Sequence, residues 1–587
     1  HYRCAAPSAK IGMPEVKLGL LPGATGTQRL PRLAGVRKAL DMMISGKPIA
    51  ADEAREHGLI DEIIQGDLRA GAIAYAQRLL EQGAPLRRVS RMSVNAPEAA
   101  RDFFNEYRGQ MARQTRGYFA PERIVRCVEA AVELPYEAAL TVERGLFDEC
   151  KASTHSQALR HLFFAEREVS KIPDVPRETP ARDIRSVAVI GAGTMGGGIA
   201  MNFLGAGMPV TLLEMNREAL DRGLGMVRKN YEAAVDKGRI TARQLAETMD
   251  RIRPTTDYAD LADADLVIEA VFENMEIKKK VFATLDATCK PGAVLATNTS
   301  TLDVNEIASA TQRPQDVVGL HFFAPANVMP LLEIVRGAKT GKDIVASALA
   351  VAKAIRKVGV LVGVCFGFVG NRMFIPYVRE SQRMVLEGVP PERIDRVAWD
   401  WGMAMGPNAV FDLSGVDVFY KMLHEWKDRP DDPAFCRMGT VLYEAGRLGQ
   451  KNGAGFYRYQ GREAVPDPDV AVIARREAAA LGIEQRPVTD KEIIERLMYS
   501  MINEGSLILE AGIALRPGDI DVIFANGYGF PRYRGGPMFY ADTMGLRRIH
   551  EGICRYRERY GERYWTPAPL LERLAEQGGT FSGWKIS

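Results

Sequence analysis

A four-residue apolar run, Val187-Ala-Val-Ile190, leads directly into Gly191-Ala-Gly-Thr-Met-Gly196. Few features constrain a chain more. The run suits a buried strand. The first glycine permits a sharp turn, the second lets backbone approach a pyrophosphate, and the third lets the following helix pack closely on the strand. The helix N-terminus would add amide donors and a favourable dipole. The candidate contacts are therefore Gly191, Ala192, Gly193, Thr194, Met195 and Gly196. Glycine patterns alone are weak, but Glu214 ends the next apolar run, Val210–Leu213, twenty-three residues after Gly191. A carboxylate there can hold ribose hydroxyls and repels a 2′-phosphate. NAD is expected rather than NADP, with Arg217 tempering the preference.

Further apolar runs at Leu266–Ala270, Val294–Thr297, Val317–Leu320 and Leu331–Val335 alternate with helical stretches across residues 185–365. Short buried runs separated by helices predict an α/β fold with a doubly wound parallel sheet. From about 366 onward, helical patterns dominate and look duplicated. Glu380-Ser381, Ile394-Asp395 and Gly406-Pro407 are echoed by Glu504-Gly505, Ile520-Asp521 and Gly529-Phe530-Pro531, with generic helix composition as the alternative. A chain of 587 residues needs several cores. Lys171–Pro180, with three prolines among charges, reads as a linker. The expected division is 1–90, a helical region and linker over 91–182, a nucleotide-binding domain over 183–365, and two helical domains, 366–465 and 485–587.

Charge excludes some partners. With 77 basic and 74 acidic side chains the net charge is +3, so no extended field for nucleic acid is expected. Ser186–Leu213 carries no charge over a span long enough for a bilayer, but seven of its residues are glycine and a βα unit explains it better than a membrane span. The seven cysteines are scattered without a CxxC pair, which predicts reduced thiols and no metal site. The end, Trp584-Lys-Ile-Ser587, is not Ser-Lys-Leu. The expectation is a cytoplasmic, bacterial-type protein, with a peroxisomal location disfavoured.

Of seven histidines, only His321 ends an apolar run in the nucleotide-binding region. Ligands of such sheets bind outside the carboxyl ends of the strands. Glu333 follows twelve residues later inside Leu331–Val335, where a buried carboxylate wants a cation or a donor. An imidazole would satisfy it and be held in one tautomer. From spacing alone, a structural histidine near a strand end remains equally open. Asn298-Thr-Ser300 at the preceding strand end could present polar groups to the same crevice or simply form a turn.

Together these residues resemble the 3-hydroxyacyl-CoA dehydrogenase family. The resemblance adds Glu269-Ala-Val-Phe-Glu-Asn-Met-Glu-Ile-Lys278, Asn298-Thr-Ser-Thr-Leu302, His321-Phe-Phe323 with Pro325, and Gly367-Phe-Val-Gly-Asn-Arg372 to the glycine motif. It implies that His321 takes the 3-hydroxyl proton, Glu333 supports it, and Ser300 and Asn371 hold the substrate oxygen and orient the base. It also implies that Val271, Glu273, Lys278, Asn298 and Ser300 line the cofactor. Where the family usually has Asn after His-Phe-Phe, this chain has Ala324. In the second helical copy Glu495 holds the position of Asn371, so that copy reads as a roof from which Asn526 or Tyr528 touches substrate.

Met13-Pro-Glu15-Val-Lys-Leu-Gly-Leu-Leu-Pro-Gly23 and Thr27-Gln-Arg-Leu30 resemble the enoyl-CoA hydratase/isomerase family, a crotonase-like module. The resemblance makes Glu15 one of two catalytic glutamates and places the other before His1. A half-site with little hydratase activity is therefore expected. The combined resemblance is to bifunctional β-oxidation enzymes acting on acyl-CoA, either monomeric or bound to a thiolase. Hydration or isomerisation as the main activity, or a silent NAD-binding scaffold, are the competing readings.

Overall fold

The structure, a computed structural model, describes residues 1–96 and 100–586. It divides into two compact units, one of residues 1–163 with 532–535 and one of residues 164–531 with 536–587.

The first unit is mainly helical. Helices Gly26–Ala34, Val36–Ser45 and Ala120–Glu133 bury Leu40, Met43, Ile124 and Val128 in one core, joined by Leu146 of Tyr136–Ala152. Ile124, Val128 and Ala131 line one face of their helix at the expected spacing. Glu15 opens a single 3-10 turn, Glu15–Leu18, closed by Gly19 in the left-handed region at φ +66°. Glu15 Oε2 is buried and has no hydrogen-bond partner among the described residues.

The second unit begins with the nucleotide-binding layers. Its strands are β1 (Val187–Ile190), β2 (Val210–Leu213), β3 (Ile252–Thr255), β4 (Leu266–Glu269), β5 (Val294–Thr297), β6 (Val317–Phe322), β7 (Leu331–Arg336) and β8 (Val358–Gly363). They form one sheet in the order β8-β7-β6-β5-β4-β1-β2-β3. Every residue of β1, β4, β5 and β6 is buried, as expected for strands covered on both faces. β1 pairs with β2 on one side and β4 on the other, which opens a crevice at their carboxyl ends.

Three features here depart from expectation. β6 and β7 pair antiparallel, because the eight residues 323–330 between them are too few for a crossover. β3 and β8 were not among the expected runs: β3 carries Arg253 and Pro254, and the Val/Leu run of β8 is interrupted by Gly359 and ends at Gly363. The proline-rich segment is also no free tether. Ile172 and Val175 are buried in the core of the sheet, and Asp174 pairs with Arg336 at 2.9 Å.

Helices on the sheet include α1 (Thr194–Gly205), α2 (Met275–Thr288) and α3 (Lys342–Ala354). The mainly helical part follows with α4 (Gly370–Leu386), α5 (Pro391–Trp401), α6 (Pro407–Ser414), α7 (Asp490–Glu510), α8 (Pro517–Gly527) and α9 (Pro537–Met544), interrupted by a hairpin, Tyr457–Gln460 with Glu463–Pro466. α4 and α7 pack together, and fully buried Arg496 of α7 bridges Glu380 and Glu387 at 2.9 and 2.8 Å. The duplication is real but its register differs from the sequence reading. The counterpart of Gly406-Pro407 is Gly536-Pro537: each pair starts a helix whose first amides bond to an aspartate of the preceding helix, Asp395 or Asp521. Gly529-Phe530-Pro531 lies in the intervening loop.

Candidate active site

The glycine loop has the geometry a dinucleotide needs. Gly191 is at φ +99°, and a Cβ there would lie 2.6 Å from Ala270 O. A Cβ on Gly196 would lie 1.8 Å from Gly191 O, so helix and strand approach too closely for any side chain. Gly193 differs. Nothing lies within 4 Å of its Cβ position, and both Gly193 and Thr194 are exposed at the start of α1, whereas Met195 turns inward against the core. Glu214, just past β2, accepts from Ala192 N at 2.9 Å and from Met215 N at 2.7 Å, which fixes its carboxylate beside the loop.

Two neighbours of this cleft were not singled out beforehand. Met215 and Phe272 are 74% and 85% exposed, large apolar side chains flanking the loop after β2 and the loop after β4. Phe272 could have been found, as an aromatic within a polar motif at a strand end.

Beneath the cleft lies a buried charge cluster. Glu269 is fully buried and accepts from Lys278 Nζ at 2.7 Å, Thr297 Oγ1 at 2.7 Å and Val271 N at 2.7 Å. The Lys278 ammonium also stands 3.3 Å from Glu273 Oε2 and is 1% exposed. Glu273 Oε1 accepts from Thr299 Oγ1 at 2.7 Å, Ser300 N at 2.8 Å and Ser300 Oγ at 3.1 Å. Burial alone would raise the Glu273 carboxyl. Lys278 and the Thr299 and Ser300 hydrogen bonds outweigh it and hold the group below the ordinary carboxylate value. The structure thus places Lys278 beneath the cleft as a counter-ion, with Glu273 and Ser300 at its wall.

His321 and Glu333 meet at the β6–β7 hairpin. Antiparallel register sets His321 directly opposite Glu333, and His321 Nδ1 lies 2.7 Å from Glu333 Oε2. His321 is 5% exposed and Glu333 fully buried. Glu333 Oε1 accepts from Gly370 N at 2.9 Å, so the first residue of α4 secures the carboxylate. The rings of Phe323 and Phe368 stand 4.4 and 5.7 Å from that of His321. Asn298 Oδ1 accepts from Phe322 N at 2.9 Å and pins the strand next to the histidine.

Asn371 joins the site from α4. Its Nδ2 donates to Ser300 O at 3.5 Å, and its Oδ1 accepts from Tyr528 OH at 2.8 Å. Burial and Glu333 push the Tyr528 phenol well above its ordinary value, so it stays a neutral donor. Asn526 is oriented elsewhere, donating to Glu166 Oε1 at 3.1 Å and Val522 O at 2.9 Å. Of the two residues considered on the second helical copy, Tyr528 is the one brought to the dyad's neighbourhood. Glu15 belongs to the first unit.

The sequence matches the family model of the 3-hydroxyacyl-CoA dehydrogenase NAD binding domain over residues 186–365 and of its C-terminal domain over 367–459 and 493–583. Residues 1–133 match the enoyl-CoA hydratase/isomerase family. The chain is 42% identical over 604 aligned residues to the peroxisomal bifunctional enzyme of Homo sapiens, covering 98% of this chain and 82% of that protein. The chain belongs to the bifunctional β-oxidation enzymes. Another member of this family, the peroxisomal fatty acid beta-oxidation multifunctional protein of Oryza sativa subsp. japonica, is 36% identical, over 98% of this chain and 81% of that protein. Among solved structures, 3-hydroxybutyryl-CoA dehydrogenase from Escherichia coli superposes with a TM-score of 0.60 at 30% identity, covering 68% of this chain and 99% of that one. The dehydrogenase part of multifunctional enzyme 1 from C. elegans gives 0.53 at 31%, over 70% and 96%.

The bifunctional enzyme carries 3-hydroxyacyl-CoA dehydrogenase and enoyl-CoA hydratase domains, and its redox cofactor is NAD. Among the described residues no helix is long and apolar enough to cross a membrane. One expectation is overturned. The relatives are peroxisomal and glyoxysomal enzymes, not cytoplasmic ones. Scattered free cysteines report only surroundings that leave thiols reduced, and that property does not separate one such compartment from another.

Proposed function

We propose that this protein oxidises (S)-3-hydroxyacyl-CoA to 3-oxoacyl-CoA through the His321–Glu333 dyad. The observation that carries the reading is the 2.7 Å contact between His321 Nδ1 and Glu333 Oε2. With Nδ1 donating to the carboxylate, Nε2 has the lone pair that accepts the 3-hydroxyl proton, and Glu333 stabilises the resulting imidazolium. NAD, when bound, supplies the hydride acceptor. Gly193 and Thr194 offer room and amides to its pyrophosphate, and Glu214 takes the ribose hydroxyls. Met215 and Phe272 cover the adenine. Ser300 and Asn371, the latter oriented by Tyr528, hold the substrate oxygen while His321 draws the proton. Burial of the dyad beside Phe323 and Phe368 keeps water from competing for it.

The name of the human relative supports a peroxisome-type compartment. The division into a hydratase/isomerase module, a connecting segment, a nucleotide-binding domain and two helical domains serves the same reading, with Glu15 as a glutamate of the hydratase site. The test is NADH formation from (S)- and (R)-3-hydroxyacyl-CoA with NAD or NADP. Turnover confined to the (S) substrate and NAD is expected. Equal use of NADP would refute the role of Glu214.

A further inference from the structure

The hairpin loop Phe323–Pro330 links the strand that carries His321 to the strand that carries Glu333. It does not hang free. Ala326, 1% exposed, sits against α1 where the helix has Gly198, and a Cβ on Gly198 would lie 3.1 Å from Ala326 Cβ. Two side chains converge on the Ala326 carbonyl: Asn202 Nδ2, from α1, donates at 3.0 Å, and Lys357 Nζ donates at 2.7 Å. The same ammonium donates to Met329 O at 2.5 Å, so it holds the loop at two points.

Lys357 is itself fixed. α3 ends through Arg356 in the left-handed region at φ +59°, and Lys357 N closes on Ala352 O at 2.8 Å. The next residue, Val358, starts β8 and donates to Pro330 O at 2.8 Å. Lys357 is 9% exposed and its partners are carbonyls rather than carboxylates. Burial pushes the ammonium down to about 8. A cation taken out of water without a counter-ion is costly, and a fold that only needed to fill this space would do better with an apolar side chain.

We propose that Lys357, with Asn202, is a positioning residue of the dehydrogenase: it clamps the Phe323–Pro330 loop onto the dinucleotide helix and so sets His321 relative to the bound nicotinamide. The proposal rests on His321 being the base. Asn202 belongs to the helix whose N-terminus receives the cofactor, and Ala326 lies five residues past His321. The clamp therefore ties the cofactor's support to the base's support by one shared carbonyl.

The test compares Lys357→Met, Lys357→Arg, Asn202→Ala and Lys357→Met/Asn202→Ala in the full chain, measuring NAD dissociation constant, kcat and the deuterium isotope effect with 3-hydroxy substrate. Lys357→Met leaves the glycine loop untouched, so NAD affinity stays within about threefold, while a misplaced base lowers kcat roughly 10- to 100-fold and raises the isotope effect. Lys357→Arg restores most of the loss, because it keeps the cation and its donors. Asn202→Ala moves in the same direction by less, and supplies the answer if Lys357→Met does not fold. The double variant loses less than the product of the single losses. Wild-type kcat in Lys357→Met, or in Asn202→Ala where the lysine variant fails to fold, overturns the clamp. So does a loss of NAD affinity in step with kcat. His321→Gln in the same assay separates the two readings: normal turnover there would defeat the base, not the clamp.

Discussion

Glu333→Gln tests the dyad more sharply than removal of the histidine. Both oxygens of this buried carboxylate are in use, Oε2 on His321 Nδ1 and Oε1 on Gly370 N at 2.9 Å. Glutamine keeps the shape but offers one acceptor. A backbone amide can only donate, so the glutamine oxygen stays on Gly370 and its NH2 turns to Nδ1. The reverse orientation would set two buried donors face to face, at about 1–3 kcal/mol. Nδ1 must then accept, and the ring proton moves to Nε2, the atom that has to take the substrate proton. The base is blocked by its tautomer while every contact distance survives. Loss of a positioned general base costs roughly 10²–10⁴ in rate, or about 3–5 kcal/mol of barrier. The assay is NADH absorbance in single-turnover mode beside NAD titration of Glu333→Gln, His321→Gln and the double variant. NAD affinity should hold, and the double loss should fall short of the product of the single losses. Near-normal turnover in either variant, or losses that multiply cleanly, would refute the reasoning.

The glycine loop yields a paired prediction: Gly196→Ala, whose Cβ would meet Gly191 O at 1.8 Å, lowers thermal stability and abolishes NAD binding. Gly193→Ala, with open space around its Cβ, melts like wild type but weakens NAD by about tenfold or more, and equal destabilisation of both variants would count against this reading. In a protein that also carries the second catalytic glutamate, Glu15→Gln should cut 2-enoyl-CoA hydration by about 10²-fold or more and leave NAD reduction unchanged, checked by following the enoyl thioester and NADH in parallel. Lys357 links stability to pH. Its folded value of about 8 lies below the ordinary 10.5, so between these values the unfolded chain binds more protons and stability rises with pH. At about 1.4 kcal/mol per pH unit the gain is at most on the order of 3 kcal/mol. Urea unfolding of wild type between pH 8 and 10 should show this rise, and Lys357→Met should lack it.

The cofactor loop was legible because its chemistry is local: three backbone requirements are written within six adjacent residues, and Glu214 needs only the end of the next strand. The dyad was half legible. A histidine ending an apolar run and a glutamate inside one each ask for a partner, but a parallel sheet would not have set them face to face. What pairs them is the length of the loop between their strands, which excludes a crossover and forces the hairpin. Lys278 needed the fold. As a motif lysine it reads as a cofactor contact, and the structure adds that Glu269, buried at the end of an apolar run by the same logic as Glu333, holds its ammonium. Localisation was not legible at all, since reduced thiols are common to more than one compartment.

The two helical copies separate the residues that start helices from those that stand at the proposed site. In each, an aspartate accepts the first amides of the helix begun by Gly-Pro: Asn408 N and Ala409 N on Asp395, Met538 N and Phe539 N on Asp521. A Cβ on Gly406 or Gly536 would lie 2.3 Å from an atom of that aspartate, so the close approach imposes glycine in both. That device is kept twice because each copy must start the same helix. Asn371 is kept once. In the register of Glu380 and Glu504 its counterpart is Glu495, which instead accepts from Tyr556 OH at 2.9 Å. In the proposed mechanism the second copy reaches the reaction through Tyr528, whose hydroxyl donates to the first copy's Asn371. Tyr528→Phe should therefore lower kcat while leaving both Gly-Pro helix starts intact, an outcome that a purely structural roof would not produce.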